Sequence, residues 1–529
     1  MDSLLQSPSS IALASVGSFL VAFLSYLVYS VAFHPLAGLP GPLRAQLGIG
    51  GWTTVRAAKR DMGPKLEELH RKYGNIVRIG RNEASVVAPQ AVVDLYRYGG
   101  AVKDKSSFYQ FFKVSKPSLL ATLSHSEHAL ARRGVSPAFT MNLLVDLEEF
   151  VDVCFDDLTQ QLDTQISKAG GRATVDLGTL LQFLAMDVVA ELAFGRSFGL
   201  TKAGYDTDDY LPMLDAYTAS SCLSGTQPWA RRFLHWWLTR RLGSSGNAAL
   251  GQKASQAVAR RLEDLEEARK SGDTDSIRRD ILSKLIGAKN PDGSPFTVDQ
   301  VKVQANSILG AGSDTTSITF RALIAYIVRN PAIYRKVMEE LDDAVESGLV
   351  SFPISHAMGT KLTYLQACLK ETLRLHPAVP WVLPRVIPAG GAVVGGRFFS
   401  GGVNVGMSPY VFHRRTEAYG PDAEQFRPER WIEASEEDKK TLERNLLTFG
   451  SGNRVCVGKN VALMEICKLA PSFLYRYKVS FTPRSPTSPH KLPGQGIDGK
   501  LDNSEPWHCE SQWFSHQREF YCDIEERVV

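Results

Sequence analysis

The chain has 529 residues, 44% of them hydrophobic and 22% charged, and its formal net charge at pH 7 is +4. This small positive excess argues against a nucleic-acid-binding protein. Its seven cysteines are an odd number and show no Cys-x-x-Cys spacing, which argues against a disulfide framework and favours a reducing compartment.

The N-terminus carries one long apolar segment. Residues 3–43 contain no Asp, Glu, Lys or Arg, and residues 11–33 form a mostly apolar run long enough to cross a bilayer as a helix. A cleaved signal peptide would have a basic start and a shorter apolar core, so residues 1–33 are better interpreted as a retained anchor. Basic residues begin after it, at Arg44, which predicts that the rest of the chain lies on the cytoplasmic side.

The chain beyond the anchor is predicted to be mainly helical. Residues 34–42 are rich in proline and predict a stiff hinge, and residues 43–529 are expected to form a single domain. The pattern predicts early strands at 77–80 and 85–88, a Gly-rich hairpin at 395–405, a helix at 463–477 and closing strands at 507–524. Loops are expected at 243–246, 290–295 and 483–496.

A long apolar stretch predicts a helix from about residue 298 to 330. Thr297 and Gln300 form a capping-box pattern at its start, and Asn330-Pro331 stops it. Its middle, residues 311–316 (Ala-Gly-Ser-Asp-Thr-Thr), combines glycine with hydroxyls that can bond backwards to carbonyls, so we expect the helix to open there. Taken alone, this string also fits an ordinary kinked helix.

A second pattern pairs Glu371 with Arg374. An i,i+3 pair of this kind is usually a solvated surface pair that contributes about 0.2–0.5 kcal/mol. Residues 426–431 (Phe-Arg-Pro-Glu-Arg-Trp) follow, and they supply Arg430 as a further cation. Taken alone, the pair is therefore best interpreted as a surface pair, although the planar guanidinium forks of the arginines suit a structural contact with a carboxylate.

The most informative string is residues 449–458, Phe-Gly-Ser-Gly-Asn-Arg-Val-Cys-Val-Gly. A thiolate that binds haem iron needs backbone N–H groups directed at its sulfur, and the glycines permit the turns that this requires. Cys456 is therefore the candidate iron ligand, and Arg454 lies where it could meet a haem propionate. The alternative is a buried free cysteine in a Gly-rich turn.

The string 449–458 resembles the cysteine loop of the cytochrome P450 family, Phe-x-x-Gly-x-Arg-x-Cys-x-Gly, at every specified position. The patterns at 311–316, at Glu371 and Arg374, and at 426–431 occur in the family's order. The resemblance implies the cytochrome P450 fold, mainly α with small β-sheets, preceded by one transmembrane helix. It is closest to fungal microsomal enzymes of specialised metabolism, such as pisatin-demethylase-like and benzoate-hydroxylase-like members.

The resemblance also implies roles for individual residues. Asp314 and Thr315 look like the family's acid and alcohol pair, which delivers protons to bound dioxygen. Glu371, Arg374 and Arg430 would hold the loop that presents Cys456. The implied cofactor-binding residues are Phe449, Gly450, Arg454, Gly458, Arg385, Arg132 and His128. The implied substrate-pocket residues are Phe111, Phe112, Ala311, Trp381, Val382 and Phe514, together with the segment 229–237.

Two positions differ from the family's usual pattern. His128 stands where the family commonly has Trp, and it can donate a hydrogen bond as Trp does, although an ordinary surface or core histidine is the alternative. His413-Arg414-Arg415 replaces a common His-Arg-Asp, a difference expected to affect only a local surface contact.

The implied cofactor is haem b, with electrons from NADPH through NADPH–cytochrome P450 reductase and with cytochrome b5 as a candidate second donor. The implied substrates are dioxygen and a hydrophobic small molecule, and the implied location is the endoplasmic reticulum membrane, with the catalytic domain facing the cytosol.

Two alternative classes of protein remain: a haem-thiolate enzyme that catalyses rearrangement, dehydration or ring formation, and a non-catalytic haem binder or electron carrier. The presence of Asp314 and Thr315 argues against the first, because a rearrangement needs no oxygen-activating pair.

Overall fold

The computed structural model describes residues 8–48, 51–113, 116–226, 246–272, 278–481 and 508–527. The segment 229–237 and the predicted loop at 483–496 lie outside these ranges, as do Trp507 and most of the loop at 243–246.

Helices dominate the described chain. The α-helices are α1 (Pro8–Val28), α2 (Leu43–Leu47), α3 (Trp52–Lys59), α4 (Met62–Tyr73), α5 (Gln90–Tyr96), α6 (His125–Val135), α7 (Met141–Val145), α8 (Glu148–Lys168), α9 (Leu177–Phe194), α10 (Leu200–Ala203), α11 (Tyr210–Thr226), α12 (Gly246–Ser271), α13 (Ile281–Ile286), α14 (Val298–Val328), α15 (Pro331–Glu346), α16 (His356–Gly359), α17 (Thr363–Leu375), α18 (Pro409–Phe412), α19 (Thr416–Tyr419), α20 (Arg430–Glu433), α21 (Glu436–Asn445) and α22 (Lys459–Arg476). A π-helix, Tyr29–Phe33, extends α1, and 3-10 helices span Ser107–Phe112, Ser136–Phe139 and Gly452–Arg454.

The strands form small sheets. They are β1 (Ile76–Gly80), β2 (Glu83–Val86), β3 (Arg172–Asp176), β4 (Arg385–Val386), β5 (Ala392–Val394), β6 (Arg397–Phe399), β7 (Asn404–Gly406), β8 (Tyr477–Phe481), β9 (His508–Ser511), β10 (Ser515–Arg518) and β11 (Tyr521–Glu526). The sheet orders are β1-β2-β7-β4 and β3-β11-β8, with hairpins β5-β6 and β9-β10. The hairpin β5-β6 lies at 392–399, earlier than the predicted 395–405, and β7 at the end of the predicted range instead pairs in parallel with β2.

Helix α14 positions the site, and its predicted ends are confirmed. Thr297 and Gln300 make both bonds of a capping box, and Asn330 caps α15, which has Pro331 at its first turn. With 31 residues, α14 is about 46 Å long. It packs against α9, α12, α17 and α22. The expected opening is absent from α14, which is continuous, and Gly312 instead allows close packing, since a Cβ there would lie 2.8 Å from Val189 Cγ2 on α9.

Two described helices are long and apolar enough to cross a membrane. Helix α9, Leu177–Phe194, is 89% buried inside the protein, whereas no residue in the most apolar part of Ile11–Phe33 is buried. The N-terminal helix is therefore the candidate membrane anchor, and α9 is a core helix.

The proline-rich stretch after the anchor lies against the four-stranded sheet. Leu36 and Leu39 are buried with Val86 of β2 and Val405 of β7. The amide of Arg78 donates a hydrogen bond to Pro40 O at 2.8 Å, and its guanidinium donates to Ser30 O at 2.9 Å. This stretch, which the sequence predicts as a hinge, is packed onto the body of the protein in the structure.

The helix after the cysteine loop begins earlier than predicted, at Lys459 rather than residue 463. Its first turn therefore directly follows Gly458, two residues after Cys456. The N-terminus of α22 carries free N–H groups and a partial positive charge, and it lies beside the cysteine.

Candidate active site

A cavity of about 560 Å³ lies between the middle of α14 and the loop that precedes α22. It brings together residues that are more than 300 positions apart in the sequence. Of the predicted site residues, the cavity is lined by Phe112, His128, Arg132, Ala311, Thr315, Arg385, Phe449, Gly450, Arg454, Cys456, Gly458 and Phe514.

The Cys456 side chain is exposed to this cavity. The Cys456 amide donates to Phe449 O at 2.8 Å, which closes the loop, and Gly450 and Gly452 have φ values of 68° and 60°. A Cβ at Gly452 would also lie 2.0 Å from Tyr96 O, so both the backbone angle and the available space require glycine there. Burial raises the pKa of the Cys456 thiol, but hydrogen bonds from the backbone of Gly458 and Lys459 favour the thiolate.

Four cations surround one side of the cavity: Lys105, Arg132, Arg385 and Arg454. In the described residues, their hydrogen bonds go to neutral groups and not to carboxylates. Arg454 donates to Thr122 O and Leu123 O, Arg132 to Val455 O, Arg385 to Pro384 O and Lys105 to Leu120 O. Burial and the nearby Arg385 lower the pKa of Arg454 to about 10.

This cation cluster provides a test of whether haem fits the cavity. Buried charges of one sign cost free energy unless an anion compensates them. The Nε of Arg454 is buried and has no hydrogen-bond partner in the described part of the chain. Two carboxylates of a bound group would satisfy both requirements, while Cys456 supplies a sulfur ligand on the same cavity. The residues present therefore fit a haem with two propionates.

His128 lies beside this cluster and is only 3% exposed. Burial and the charges of Arg454 and Lys105 lower its pKa to about 3, so its ring is neutral at physiological pH. The cavity is therefore lined at this position by a buried, uncharged imidazole.

Lys105 also lines the cavity, beside Tyr109, and the sequence does not predict Lys105 as a site residue. The Lys105 ammonium lies 4.7 Å from the centroid of the Tyr109 ring, and burial beside Arg385 and Arg454 lowers the Lys105 pKa. An isolated lysine ahead of an aromatic run carries no local signal of this role. The place of Lys105 in the site is visible only from its contact with Arg385, which lies 280 residues later in the sequence.

Thr315 and Asp314 are adjacent in sequence but point to different surroundings. Thr315 lines the cavity and donates its hydroxyl to Ala311 O at 2.8 Å. Asp314 is 1% exposed and is not among the cavity-lining residues, and its Oδ1 accepts a hydrogen bond from Gln182 Nε2 at 2.5 Å. Burial raises the pKa of Asp314 to about 6, against the opposing effect of Arg321 and Arg518.

The expected substrate residues divide into two groups. Phe112, Ala311 and Phe514 line the cavity, whereas Phe111, Trp381 and Val382 do not. The Trp381 ring stacks on Phe108, with centroids 5.6 Å apart, and with Val382 it lines a separate small void. Residues 107–112 form a 3-10 helix, in which neighbouring side chains lie about 120° apart, so Phe111 and Phe112 do not share a face.

Glu371 and Arg374 form a buried pair, and both side chains are 0% exposed, unlike the surface pair that their spacing alone suggests. Arg374 Nε and Nη2 donate to the two oxygens of Glu371 at 2.8 and 2.6 Å, and Arg430 Nε lies 3.5 Å from Glu371 Oε1. Trp431 Nε1 also donates to Glu371 Oε2 at 2.9 Å. The planar guanidinium matches the carboxylate with two parallel hydrogen bonds, a geometry that Lys could not provide.

Arg415, which stands where the common pattern has Asp, is partly exposed and donates to Asn75 Oδ1 and Glu417 Oε1 at 2.9 and 3.1 Å, whereas His413 and Arg414 are only 0% and 5% exposed. His413 O accepts from Arg374 Nη1 at 2.7 Å, and His413 Nε2 accepts from the amide of Leu447 at 2.9 Å. Leu447 O in turn accepts from the Gly450 amide at 2.8 Å. His413 therefore connects the Glu371–Arg374 cluster to the cysteine loop.

Comparison with known proteins agrees with this arrangement. The family model described as cytochrome P450 matches residues 40–497. The chain is 32% identical over 517 residues to the cytochrome P450 monooxygenase cicH of Emericella nidulans, which covers 96% of this chain and 97% of that protein. It is 32% identical over 462 residues to a pisatin demethylase of Fusarium vanettenii, covering 86% and 87% of the two chains.

A third relative, the cytochrome P450 monooxygenase gsfF of Penicillium aethiopicum, is 31% identical over 479 residues, covering 88% of this chain and 92% of its own. All three relatives match most of the length of the chain. The family implies a haem iron, a redox partner and dioxygen. The chain therefore belongs to the cytochrome P450 family and is an oxidoreductase that incorporates molecular oxygen.

Proposed function

We propose that this protein is a membrane-anchored monooxygenase that oxidises a hydrophobic small molecule in fungal secondary metabolism. The observation that carries the proposal is the position of Cys456, whose sulfur faces a largely apolar cavity closed on the opposite side by Ala311 and Thr315 of α14. Relatives that are named monooxygenases of fungi support the assignment. The reaction we favour is hydroxylation, with demethylation as a further outcome because one relative is named pisatin demethylase.

Cys456 would hold the haem iron, and Lys105, Arg132, Arg385 and Arg454 would hold its propionates. The bound haem supplies reductive activation of dioxygen, and an electron-rich thiolate ligand favours cleavage of the O–O bond. The N–H groups of Gly458 and Lys459 favour the thiolate and oppose the effect of burial, which raises the pKa of the thiol. Phe449 also lines the cavity next to this loop, where it would cover the sulfur and limit access of water.

On the opposite side, the Thr315 hydroxyl lies in the cavity wall, where it can hold a proton donor in place. The Asp314 carboxyl, with a pKa of about 6, can both accept and release a proton near neutral pH. Phe112, Ala311 and Phe514 supply apolar contact for the substrate.

The remaining assignments concern location and electron supply. The apolar helix Ile11–Phe33 would cross the endoplasmic reticulum membrane once, and the basic residues that follow it favour a cytosolic catalytic domain. NADPH–cytochrome P450 reductase in the same membrane would then supply electrons, with cytochrome b5 as a second donor.

The reduced, carbon-monoxide-bound absorption spectrum tests the central claim. Wild type is expected to show the red-shifted Soret band of a thiolate-ligated haem, and Cys456→Ala is expected to lose it. Cys509→Ala, which alters a partly exposed cysteine far along the chain, serves as the matched control and should keep the band. A band in Cys456→Ala equal to that of wild type would refute the proposal. Product formed without NADPH consumption would favour the rearrangement class.

A further inference from the structure

The side of Asp314 that faces away from the cavity forms a buried polar niche. Its Oδ1 is held by Gln182, but its Oδ2 is buried and has no hydrogen-bond partner among the described residues. Nε2 of His516 lies 3.7 Å from this oxygen. The separation exceeds a hydrogen bond, and a movement of about 1 Å would form one.

His516 is itself unusual, because it is 6% exposed and neither ring nitrogen has a hydrogen-bond partner in the described part of the chain. Its imidazole contacts the edge of the Phe514 ring, with centroids 6.0 Å apart. Burying an imidazole without a hydrogen bond to either nitrogen costs free energy of desolvation, and packing alone does not explain why such a side chain lies here. The two unsatisfied groups, Asp314 Oδ2 and His516, face each other.

The other side of His516 leads towards solvent. His516 on β10 pairs directly with Glu510 on β9, so their side chains lie on the same face of the hairpin. Glu510 bonds Arg60 and Arg518 at 2.7 and 3.0 Å, and Asp215 bonds the same two arginines at 2.6 Å. These four side chains are 12–30% exposed, so this charged cluster contacts water.

We propose that His516 returns protons from this charged surface cluster to Asp314, and thereby to the Thr315 side of the cavity. The inference rests on the proposed monooxygenase function, which consumes protons. The step is a proton relay: the Nε2–H bond of His516 breaks as an O–H bond forms at Asp314 Oδ2. Nδ1 of His516 takes up a proton from hydronium at the Asp215–Glu510 cluster, which leaves water, so the imidazole stays neutral and changes from the Nε2–H to the Nδ1–H tautomer. Rotation of the ring returns the N–H to the Asp314 side for the next proton.

The other described groups around Asp314 are poor proton carriers. Gln182 bonds Asp314 through an amide, which does not exchange protons near neutral pH. Arg321 donates its hydrogen bonds to Gln517 O and to Ser317, and a guanidinium keeps its protons near neutral pH. The charged groups that act on His516 are Arg518, Arg321, Asp215, Arg60 and Asp314.

The test follows the Asp314 carboxylic proton by infrared spectroscopy of the haem-loaded, full-length protein. The C=O band of protonated Asp314 is assigned by its absence in Asp314→Asn, and its shift after mixing with D2O gives the rate of proton exchange. His516→Gln, which keeps a polar side chain, is expected to slow this exchange by on the order of tenfold or more. If that variant does not fold, His516→Leu serves in its place.

His376→Gln is the matched control, because His376 is also a buried histidine and bonds Gln517 and Ser515 of the same hairpin. It should exchange at the wild-type rate. Equal exchange in wild type and His516→Gln would overturn the proposal, as would an equal slowing in the His376→Gln control. In turnover, His516→Gln should divert NADPH electrons from product to hydrogen peroxide. Slow exchange in a protein that oxidises no substrate would refute only the monooxygenase assignment.

Discussion

Replacing Glu371 with glutamine is expected to destabilise the protein strongly, although it removes no atoms from the buried cluster. Oε1 of Glu371 accepts from Arg374 Nη2 and from the amide of Arg427, and Oε2 accepts from Arg374 Nε and Trp431 Nε1. Whichever way a glutamine amide is turned, its NH2 group faces two donors. The variant also leaves the Arg374 guanidinium, 0% exposed, without its counter-charge.

The magnitude follows from these contacts. Removing one partner of a buried ion pair costs about 3–5 kcal/mol, because the remaining charge is uncompensated. The expected loss of unfolding free energy lies in that range, and the midpoint of urea denaturation falls accordingly. Because His413 links Arg374 to Leu447, we also expect faster loss of haem from the variant.

The assay is urea denaturation of the haem-loaded protein, followed by tryptophan fluorescence and by the Soret band. Glu68→Gln is the control, since the Lys65–Glu68 pair has the same i,i+3 spacing with side chains 34% and 55% exposed. The control should lose less than about 1 kcal/mol. A Glu371→Gln protein as stable as Glu68→Gln would refute the view that this cluster supports the cysteine loop.

Three further outcomes follow from the structure. Asp314→Asn should be more stable than wild type at pH 7 by about 2–3 kcal/mol, because the pKa of Asp314 in the folded protein, about 6, exceeds the ordinary 3.8. The folded wild type binds a proton that the unfolded chain has lost, so it loses stability as the pH rises from about 4 to 6. The difference in urea midpoint between the two proteins should therefore vanish below pH 4. Arg454→Gln should bind haem about 10–100-fold more weakly in a transfer assay to an excess of haem acceptor, whereas the exposed Arg444→Gln should not differ from wild type. Deleting residues 1–33 should move the protein from the membrane pellet to the supernatant, and retention in the pellet would contradict the anchor assignment.

The sequence predicts most reliably those features whose signals are local. The capping box of Thr297 and Gln300 and the Asn330-Pro331 stop define the ends of α14, because each involves groups only a few residues apart. The cysteine loop is similar, since its turns depend on its own glycines. The helical class and the small sheets also follow from local patterns.

The remaining features depend on contacts between distant parts of the chain. The sequence places Trp381 in the substrate pocket, but its ring stacks on Phe108, 273 positions earlier, and an apolar pattern does not distinguish core from cavity. His516 lies in a tail whose pattern predicts only a strand, and its relation to Asp314 arises from folding of the β9-β10 hairpin onto α14. The roles of Lys105 and His413 likewise follow only from the residues that they contact in the folded protein.

The contact of Arg78 with Ser30 has a consequence for how substrate reaches this enzyme. The Arg78 side chain is 1% exposed and bonds the end of the N-terminal helix, and the following Leu36 and Leu39 are buried against the sheet. Where that helix crosses a bilayer, its axis sets the tilt of the whole enzyme relative to the membrane plane. In that arrangement, the polar contact of Arg78 with Ser30 would contribute to the depth at which a lipid-dissolved compound meets the cavity. Changes at Arg78 would alter which compounds enter the cavity while leaving the oxidation chemistry intact.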